Sequence, residues 1–351
     1  GGMMSTGQQQ TRSSSAEFRS DRSDESDLSD GDDGDDTSIR RSRCQSLLKK
    51  FDTQFDNRRA VRKKRVGRDR NKKLLSYRSG NKAVWDLYEA EATCFSDERF
   101  GSSSSLDHYT IPKDKSVLRN YYSKLERHDA FGDGPKSVGG VDVIASKGGK
   151  KNPFVKSSSS SSSLPCLVYS IGSYNAVDFE MAVHKFMGCE IHTFDPTIAP
   201  TAFVGGDYAT FHQWALGSEN NGNAKVPASW TVKSLETIVS ELGHQNRTID
   251  VLKIDCEGCE WEIMPPTFDA IAAGKIHVDQ IQIEMHTHVD MYYDYEHPGV
   301  HAFFDHLDKA KMRIFHKERN GWGCDGWKCV EYAFVSENFL RTANGVTICD
   351  D

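Results

Sequence analysis

Residues 167–197, LVYSIGSYNAVDFEMAVHKFMGCEIHTFDPT, constrain what this chain can fold into more than any other stretch. Leu167 to Ile171 is a short apolar run that stops at Gly172, the pattern of a strand buried on both faces of a parallel sheet. Phe179, Ala182, Val183 and Phe186 then recur at helical spacing, and Gly188 stands where a helix commonly ends on glycine. A second apolar run, Ile191 to Phe194, stops at Asp195, and Pro196 cannot extend a central strand. The stretch predicts a β-α-β unit with a carboxylate 23 residues beyond the glycine.

A unit of this kind binds nucleoside cofactors. A tight turn at the carboxyl end of the first strand admits a ligand to the backbone, and the acidic residue after the second strand accepts hydrogen bonds from ribose hydroxyls. A dinucleotide fingerprint needs G-x-G-x-x-G, whereas Ser173, Tyr174 and Asn175 follow the single Gly172. Without small residues to seat a pyrophosphate, the turn suits S-adenosylmethionine, which carries no phosphate, better than NAD. The unit by itself is equally compatible with any α/β protein that has an Asp after its second strand.

The alternation continues downstream. Thr210 to Leu216 (TFHQWAL) is expected to form a third strand, and Leu235, Ile238, Val239 and Leu242 a helical stripe capped by Ser234 and closed by Gly243. Ile249 to Ile254 reads as a strand running into DCEGCEW at 255–261, and Phe268 and Ile271 as a short helix ending at Gly274. Val278 to Met285 is a further strand that delivers Glu284, His286 and His288 to its carboxyl end. A helix over 300–310 and strands over 312–315 and 330–335 complete the pattern, with Trp322 and Trp327 in the intervening loop. Strands separated by helices imply a parallel sheet; the last two, with no helix between them, imply an antiparallel hairpin. The expected fold class is α/β: a mostly parallel, seven-stranded, Rossmann-like sheet ending in a C-terminal antiparallel hairpin, its reversed strand at the edge.

Composition bounds the rest. The 351 residues are 37% hydrophobic, and the deficit lies mainly in the first 80 residues and in the serine run 157–163, which reads as a flexible insertion. Residues 1–80 are expected to be a disordered charged tail: 21–36 is dense in Asp, and 58–73 (RRAVRKKRVGRDRNKK) is basic. That basic block reads as a solvated tail rather than a nucleic-acid, nuclear-import or anionic-membrane patch, and the net charge of −7 argues against a generally nucleic-acid-binding surface. Residues 81–150 form an accessory segment, with a short amphipathic helix over Leu118 to Leu125 and a glycine-rich loop or hairpin over 131–143. No run of 18 apolar residues and no secretory signal is present, so a soluble intracellular protein is expected; the Gly1-Gly2 start suggests an incomplete N-terminus. Nine scattered cysteines fit reduced thiols better than a disulfide framework, and the pairs Cys256/Cys259 and Cys324/Cys329 are not expected to form a zinc site.

The segment VLKIDCEGCEWEI at 251–263 resembles the LKxDxEGxEW element of FkbM-like methyltransferases and, more closely, the methyltransferase-like domain 22 group. The ERFG at 98–101, GDGPK at 132–136, VYSIGSYNAVDFE, HTFDPT and the tryptophan-bearing terminal hairpin agree with that group. The resemblance covers residues 81–349, with a catalytic core at 164–349, and implies the class I methyltransferase fold. It also implies that Ile171, Gly172 and Ser173 pass under the methionine moiety of S-adenosylmethionine, that Asp195 holds the ribose, that Trp214, Ala215 and Leu216 border the adenine, and that Asp255 faces the sulfonium and the acceptor. This chain departs from the group at Gly139-Gly140, where relatives often carry cysteine, and at Cys256 and Cys259.

Methyl transfer to a hydroxyl needs a base within hydrogen-bond reach or a metal that acidifies the hydroxyl. Asp255, Glu257, Glu284 and His286 all fall at or just beyond strand carboxyl ends. Asp255, Glu284 and His286 are the candidate catalytic residues. The same groups are able to hold a divalent cation, although no metal is expected. Glu260 reads as a helix-dipole carboxylate and Trp261 as core; His288, His297 and the tyrosines at 292, 293 and 295 read as loop residues. The reading is an S-adenosylmethionine-dependent O-methyltransferase acting on a small hydroxylated molecule or glycan. The alternatives are an NAD-dependent oxidoreductase and a non-catalytic binding protein that keeps the fold.

Overall fold

The computed structural model describes residues 60–61, 63–64, 88–90, 97–100, 109–110, 136–147, 164–218, 226–286, 300–319 and 329–341. The strands are β1 (Asp97–Phe100), β2 (Tyr109–Thr110), β3 (Lys136–Gly139), β4 (Leu167–Ile171), β5 (Glu190–Phe194), β6 (Thr210–His212), β7 (Trp214–Leu216), β8 (Thr231–Lys233), β9 (Thr248–Ile254), β10 (His277–His286), β11 (Met312–Arg319) and β12 (Cys329–Ser336). Interleaved with them are the helices α1 (Val141–Lys147), α2 (Asp178–Phe186), α3 (Leu235–Glu241), α4 (Glu260–Ala272) and α5 (Val300–Lys309).

The β-α-β unit forms where its pattern places it. All five residues of β4 are buried, and Gly188 closes α2 with a φ of 67°. Ser234 caps α3 by accepting from the Thr237 N–H at 3.1 Å, and Gly243 follows with a φ of 73°. The main sheet runs β11-β12-β10-β9-β4-β5-β6, with parallel pairing from β10 through β6 and antiparallel pairing of β12 with both neighbours. This is the mostly parallel seven-stranded class I sheet. Its reversed strand is not at the edge: β12 lies between β10 and β11, so the chain crosses to the outermost position first and then returns to fill the gap.

Apolar side chains leave both faces of the sheet. Tyr169, Leu252, Ile254, Ile281 and Ile283 pack with Ile238 of α3, Phe268 of α4 and Phe304 of α5. Val168, Ile191, Val251 and Val335 pack on the other side with Ile144 of α1 and Val183 of α2. The central strands therefore bury nearly all their residues, as a sheet covered by helices on both faces requires.

Four further expectations need correction. Part of the glycine-rich stretch 131–143, expected as a loop or hairpin, forms the fully buried β3 and the start of α1. Glycine content is misleading here, because buried glutamines supply the partners that β3 needs: Gln280 exchanges hydrogen bonds with the Gly139 N–H (2.9 Å) and carbonyl (2.6 Å), and Gln282 donates to the Ser137 carbonyl (3.0 Å). The third strand breaks at Gln213: β6 stays in the main sheet, while β7 pairs in parallel with β8. Helix α4 starts at Glu260 and runs 13 residues, through Pro265 and Pro266, whose presence suggests a shorter helix. The thiols are not all reduced: Cys166 pairs with Cys189, joining the starts of β4 and β5, Cys256 pairs with Cys259 in the turn after β9, and Cys329 is disulfide-bonded.

The accessory segment packs on both faces. Tyr88 stacks on Phe304 with ring centroids 3.7 Å apart and its carbonyl accepts from the Tyr332 hydroxyl at 3.1 Å, while β3 covers the opposite face. Of the expected disordered tail, residues 60–61 and 63–64 are described and are helical, and the remainder lies outside the described residues. The serine run 157–163, the helix over Leu118 to Leu125, His288, His297, the tyrosines at 292, 293 and 295, and Trp322 and Trp327 also lie outside them. Among the described residues, no helix is long and apolar enough to cross a membrane.

Candidate active site

The carboxyl ends of β4, β5, β9 and β10 converge, and the turn after β4 is built against the end of β9. Gly172 has a φ of 75°, and a Cβ there would overlap the Asp255 carbonyl oxygen and lie 2.7 Å from its carbon. Two ladder-like bonds lock this approach: the Gly172 N–H donates to the Phe194 carbonyl (2.9 Å) and the Asp255 N–H to the Ile171 carbonyl (3.0 Å). Beneath the turn, the buried Lys253 ammonium donates to the Gly172 carbonyl at 3.0 Å. Tyr174 and Asn175 both take left-handed backbone, at φ 44° and 65°, and Tyr174 is 87% exposed at the rim. Consecutive non-glycine residues in this region are strained, a cost that recurs where a backbone is shaped for a ligand.

Asp195 holds the glycine turn to the end of β5. One of its oxygens accepts from the Tyr174 N–H (2.8 Å), and the other from the Thr197 N–H (2.8 Å) and hydroxyl (2.6 Å). Ile171 and Ser173 are buried beside Gly172. Of the three residues expected to border the adenine, Ala215 and Leu216 are 2% and 3% exposed and belong to β7. Trp214 alone keeps accessible surface, beside His212 (ring centroids 4.6 Å apart) and under the Lys233 ammonium (3.7 Å from the ring centroid).

Beyond β9 and β10 lies a dense group of charges. The Lys136 ammonium, delivered by β3 and buried, sits 3.0 Å from both carboxylate oxygens of Glu331, 3.4 Å from Asp255 and 3.9 Å from Glu284. His286 ends β10. Its Nδ1 lies 2.9 Å from Glu260, and its Nε2 is 3.5 Å from Glu257 and 3.8 Å from Asp255. Burial opposes protonation of His286, but Glu260, Asp255 and Glu284 outweigh it and hold the imidazole pKa well above its usual value. Trp261 donates to the His286 carbonyl at 2.6 Å and fixes the strand end, consistent with its expected place in the core. Five carboxylates, Asp255, Glu257, Glu260, Glu284 and Glu331, thus face Lys136 and His286. Glu284 turns toward Lys136 and is 4% exposed, whereas Asp255 touches both cations and Glu257 lies at the open rim.

A family model described as a methyltransferase domain matches residues 118–336, more than half of the chain. The chain belongs to this methyltransferase-domain family. The probable methyltransferase-like protein 24 of Homo sapiens is 26% identical over 167 residues, covering 44% of this chain and 43% of the relative. Its Rattus norvegicus counterpart is 27% identical over 163 residues, covering 43% of this chain and 42% of that protein. The chain therefore spans less than half the length of the curated relatives it matches. Among solved structures, a Burkholderia thailandensis 1,6-didemethyltoxoflavin-N1-methyltransferase with bound 1,6-didemethyltoxoflavin and S-adenosylhomocysteine aligns at TM-score 0.30 and 13% identity, over 50% of this chain and 72% of that one. The 16S rRNA methylase ArmA aligns at 0.25 and 12%, over 49% and 74%. Neither alignment bears on the substrate or the mechanism of this chain.

In this methyltransferase domain Ile171, Gly172, Ser173, Asp195, Asp255, Glu284 and His286, all expected from the sequence, come to one end of the sheet. Sequence reasoning misses Lys136 and Glu331, and it gives Glu260 only to the helix dipole although that carboxylate pairs with His286 at 2.9 Å. Lys136 closes the GDGPK element, which is its only signal, because no periodicity marks that stretch as a strand.

Proposed function

We propose that this domain is an S-adenosylmethionine-dependent O-methyltransferase whose proton acceptor is Asp255. The observation that carries the reading is the contact of the Gly172 turn with the Asp255 backbone, because it joins the surface where a cofactor backbone contact is made to a carboxylate at the same strand end. The residues fit the cofactor. The turn offers a backbone free of side chains at Gly172, three of the roughly four acceptor positions of the Asp195 carboxylate are filled, leaving one for a ribose hydroxyl, and Trp214 provides an aromatic surface beyond β6. The adenine-bordering role falls to Trp214 rather than to Ala215 or Leu216. Bound there, S-adenosylmethionine supplies an electrophilic methyl group on a sulfonium centre.

The chain's own part is alignment and proton removal. Asp255 would accept the proton of an acceptor hydroxyl aligned with the methyl group that S-adenosylmethionine would supply. Lys136 and the protonated His286 flank Asp255 and orient its oxygens. Protonation removes His286 from the role of base, and its place is to position Asp255. The excess of carboxylates over cations favours a cationic sulfonium, and Glu257 at the rim suits a hydroxylated small molecule or glycan.

Calorimetric titration with S-adenosylhomocysteine, and separately with NADH, tests the cofactor assignment. Micromolar binding of the former, lost in Asp195→Ala, is expected. Binding of NADH alone supports the oxidoreductase alternative, and binding of neither leaves a non-catalytic domain.

A further inference from the structure

A second cluster of metal-ligating side chains lies at the opposite end of the sheet. Glu190 and His192 are the first and third residues of β5, so both project from one face, and His244 follows α3. His192 Nε2 is 3.0 Å and His244 Nε2 is 3.5 Å from the same oxygen, Oε1 of Glu190, and all three atoms lie within 4.8 Å of one another.

Each donor is held from behind by its other polar atom. Arg247 donates to Glu190 Oε2 at 2.6 Å, His212 Nε2 faces His192 Nδ1 at 2.9 Å, and the Tyr169 hydroxyl faces His244 Nδ1 at 2.7 Å. Arg247 in turn donates to the Pro165 carbonyl at 2.8 Å, and the Cys166–Cys189 disulfide ties down the chain next to Glu190. The His192 and His244 side chains are 9% and 8% exposed, whereas the Glu190 side chain is 34% exposed and opens the group to solvent. Ligating histidines characteristically have this arrangement, with the second nitrogen fixed by an outer partner.

Among the described residues, two other groups have metal-ligand spacing, and each is compromised. Asp255, Glu257 and His286 share their space with Lys136, 3.4 Å from Asp255, and Glu284, His286 and Cys329 include a disulfide-bonded sulfur. The Glu190 group has no lysine among it, and its arginine occupies the oxygen turned away from the histidines.

We propose that Glu190 Oε1, His192 Nε2 and His244 Nε2 bind one divalent transition-metal ion of the zinc class, with solvent completing the coordination on the exposed side of Glu190. The two-histidine, one-carboxylate donor set suits such an ion and leaves a position open. Binding shifts the imidazole hydrogens to Nδ1, where His192 donates to His212 Nε2 and His244 donates to the Tyr169 oxygen. The ion fastens β5 to the α3–β9 turn, away from the Gly172 and Asp255 end, and the proposal stands independently of the methyltransferase reading.

The full chain, stripped with chelator and dialysed against zinc, is expected to retain one equivalent that is at least 100-fold weaker in His192→Ala/His244→Ala and unchanged in His286→Ala. Tyr169→Phe is expected to weaken the same equivalent about 10–100-fold. X-ray absorption of the zinc-loaded wild type is expected to show two imidazoles in a nitrogen/oxygen shell without sulfur. No retained zinc, a sulfur shell, or a folded double variant that keeps the equivalent overturns the proposal. If the double variant fails to fold, the wild-type absorption spectrum decides.

Discussion

Replacing Gly172 by alanine tests whether the approach of the β4 turn to the end of β9 is what shapes the site. Two costs add. A φ of 75° places an L-residue in left-handed backbone, about 1–2 kcal/mol. The new methyl also overlaps the Asp255 carbonyl oxygen, which is backbone and cannot rotate away, so a strand end must shift at a further ~1–3 kcal/mol. Gly243→Ala isolates the first cost, since φ there is 73° and no atom lies within 4 Å of the added carbon, and Gly206→Ala carries neither. Chemical denaturation of the three variants is expected to give about 2–5, 1–2 and less than 0.5 kcal/mol of destabilisation. In a melting experiment Gly172→Ala should lose roughly 4–20 °C. A Gly172→Ala protein within about 1 kcal/mol of Gly243→Ala would refute the argument, because the collision would then be absorbed without moving Asp255.

Lys136→Met leaves Glu331, Asp255 and Glu284 without their shared cation, and urea unfolding is expected to show a loss of about 3–5 kcal/mol, partly regained by adding Glu331→Gln; a loss under 1 kcal/mol would remove Lys136 from the charge balance. Burial, only partly offset by Lys147, raises the Asp279 carboxyl to about 6. The folded state therefore holds this proton more tightly than the unfolded chain, and stability falls as pH rises from about 4 to 6. Asp279→Asn should accordingly be more stable than wild type by about 1–3 kcal/mol at pH 7.5 and equal to it near pH 4, and an advantage that does not depend on pH would contradict the assignment. Alkylation of the denatured, unreduced protein should spare Cys166, Cys189, Cys256 and Cys259, and breaking the 23-residue Cys166–Cys189 link should cost about 3 kcal/mol.

Legibility follows the range of the interactions. Helix α2 and strands β4, β5, β9 and β10 are readable because burial on a repeating face writes itself into neighbouring residues. Asp255 and His286 are readable because a strand end and an acidic turn are adjacent in sequence. Lys136 is not: it acquires its meaning from Glu331, 195 positions away, and its strand is held by glutamine side chains of β10 rather than by its own apolar pattern. The break at Gln213 is hidden for the same reason, since β7 exists only because β8 lies beside it. Glu190 and His192 differ again. His192 falls inside the apolar run Ile191 to Phe194 and so reads as part of a buried strand, Glu190 precedes that run, and only the return of His244 and Arg247 after α3 brings the rest of their polar group to them.

The two ends of the sheet show how neighbours decide what the same residue types can do. At the carboxyl end, Asp255 and His286 have a buried lysine and four further carboxylates around them, and these hold the imidazole pKa well above its usual value against the cost of burial. Glu260, Asp255 and Glu284 favour the protonated imidazole, and Asp255 is the carboxylate against the glycine turn. At the amino end, two imidazoles share one carboxylate oxygen, and the nearest fixed positive charge, Arg247, is on the other oxygen. Their Nε2 atoms converge on a single point with no lysine in it. The first arrangement suits proton transfer beside a cationic donor, and the second suits an ion.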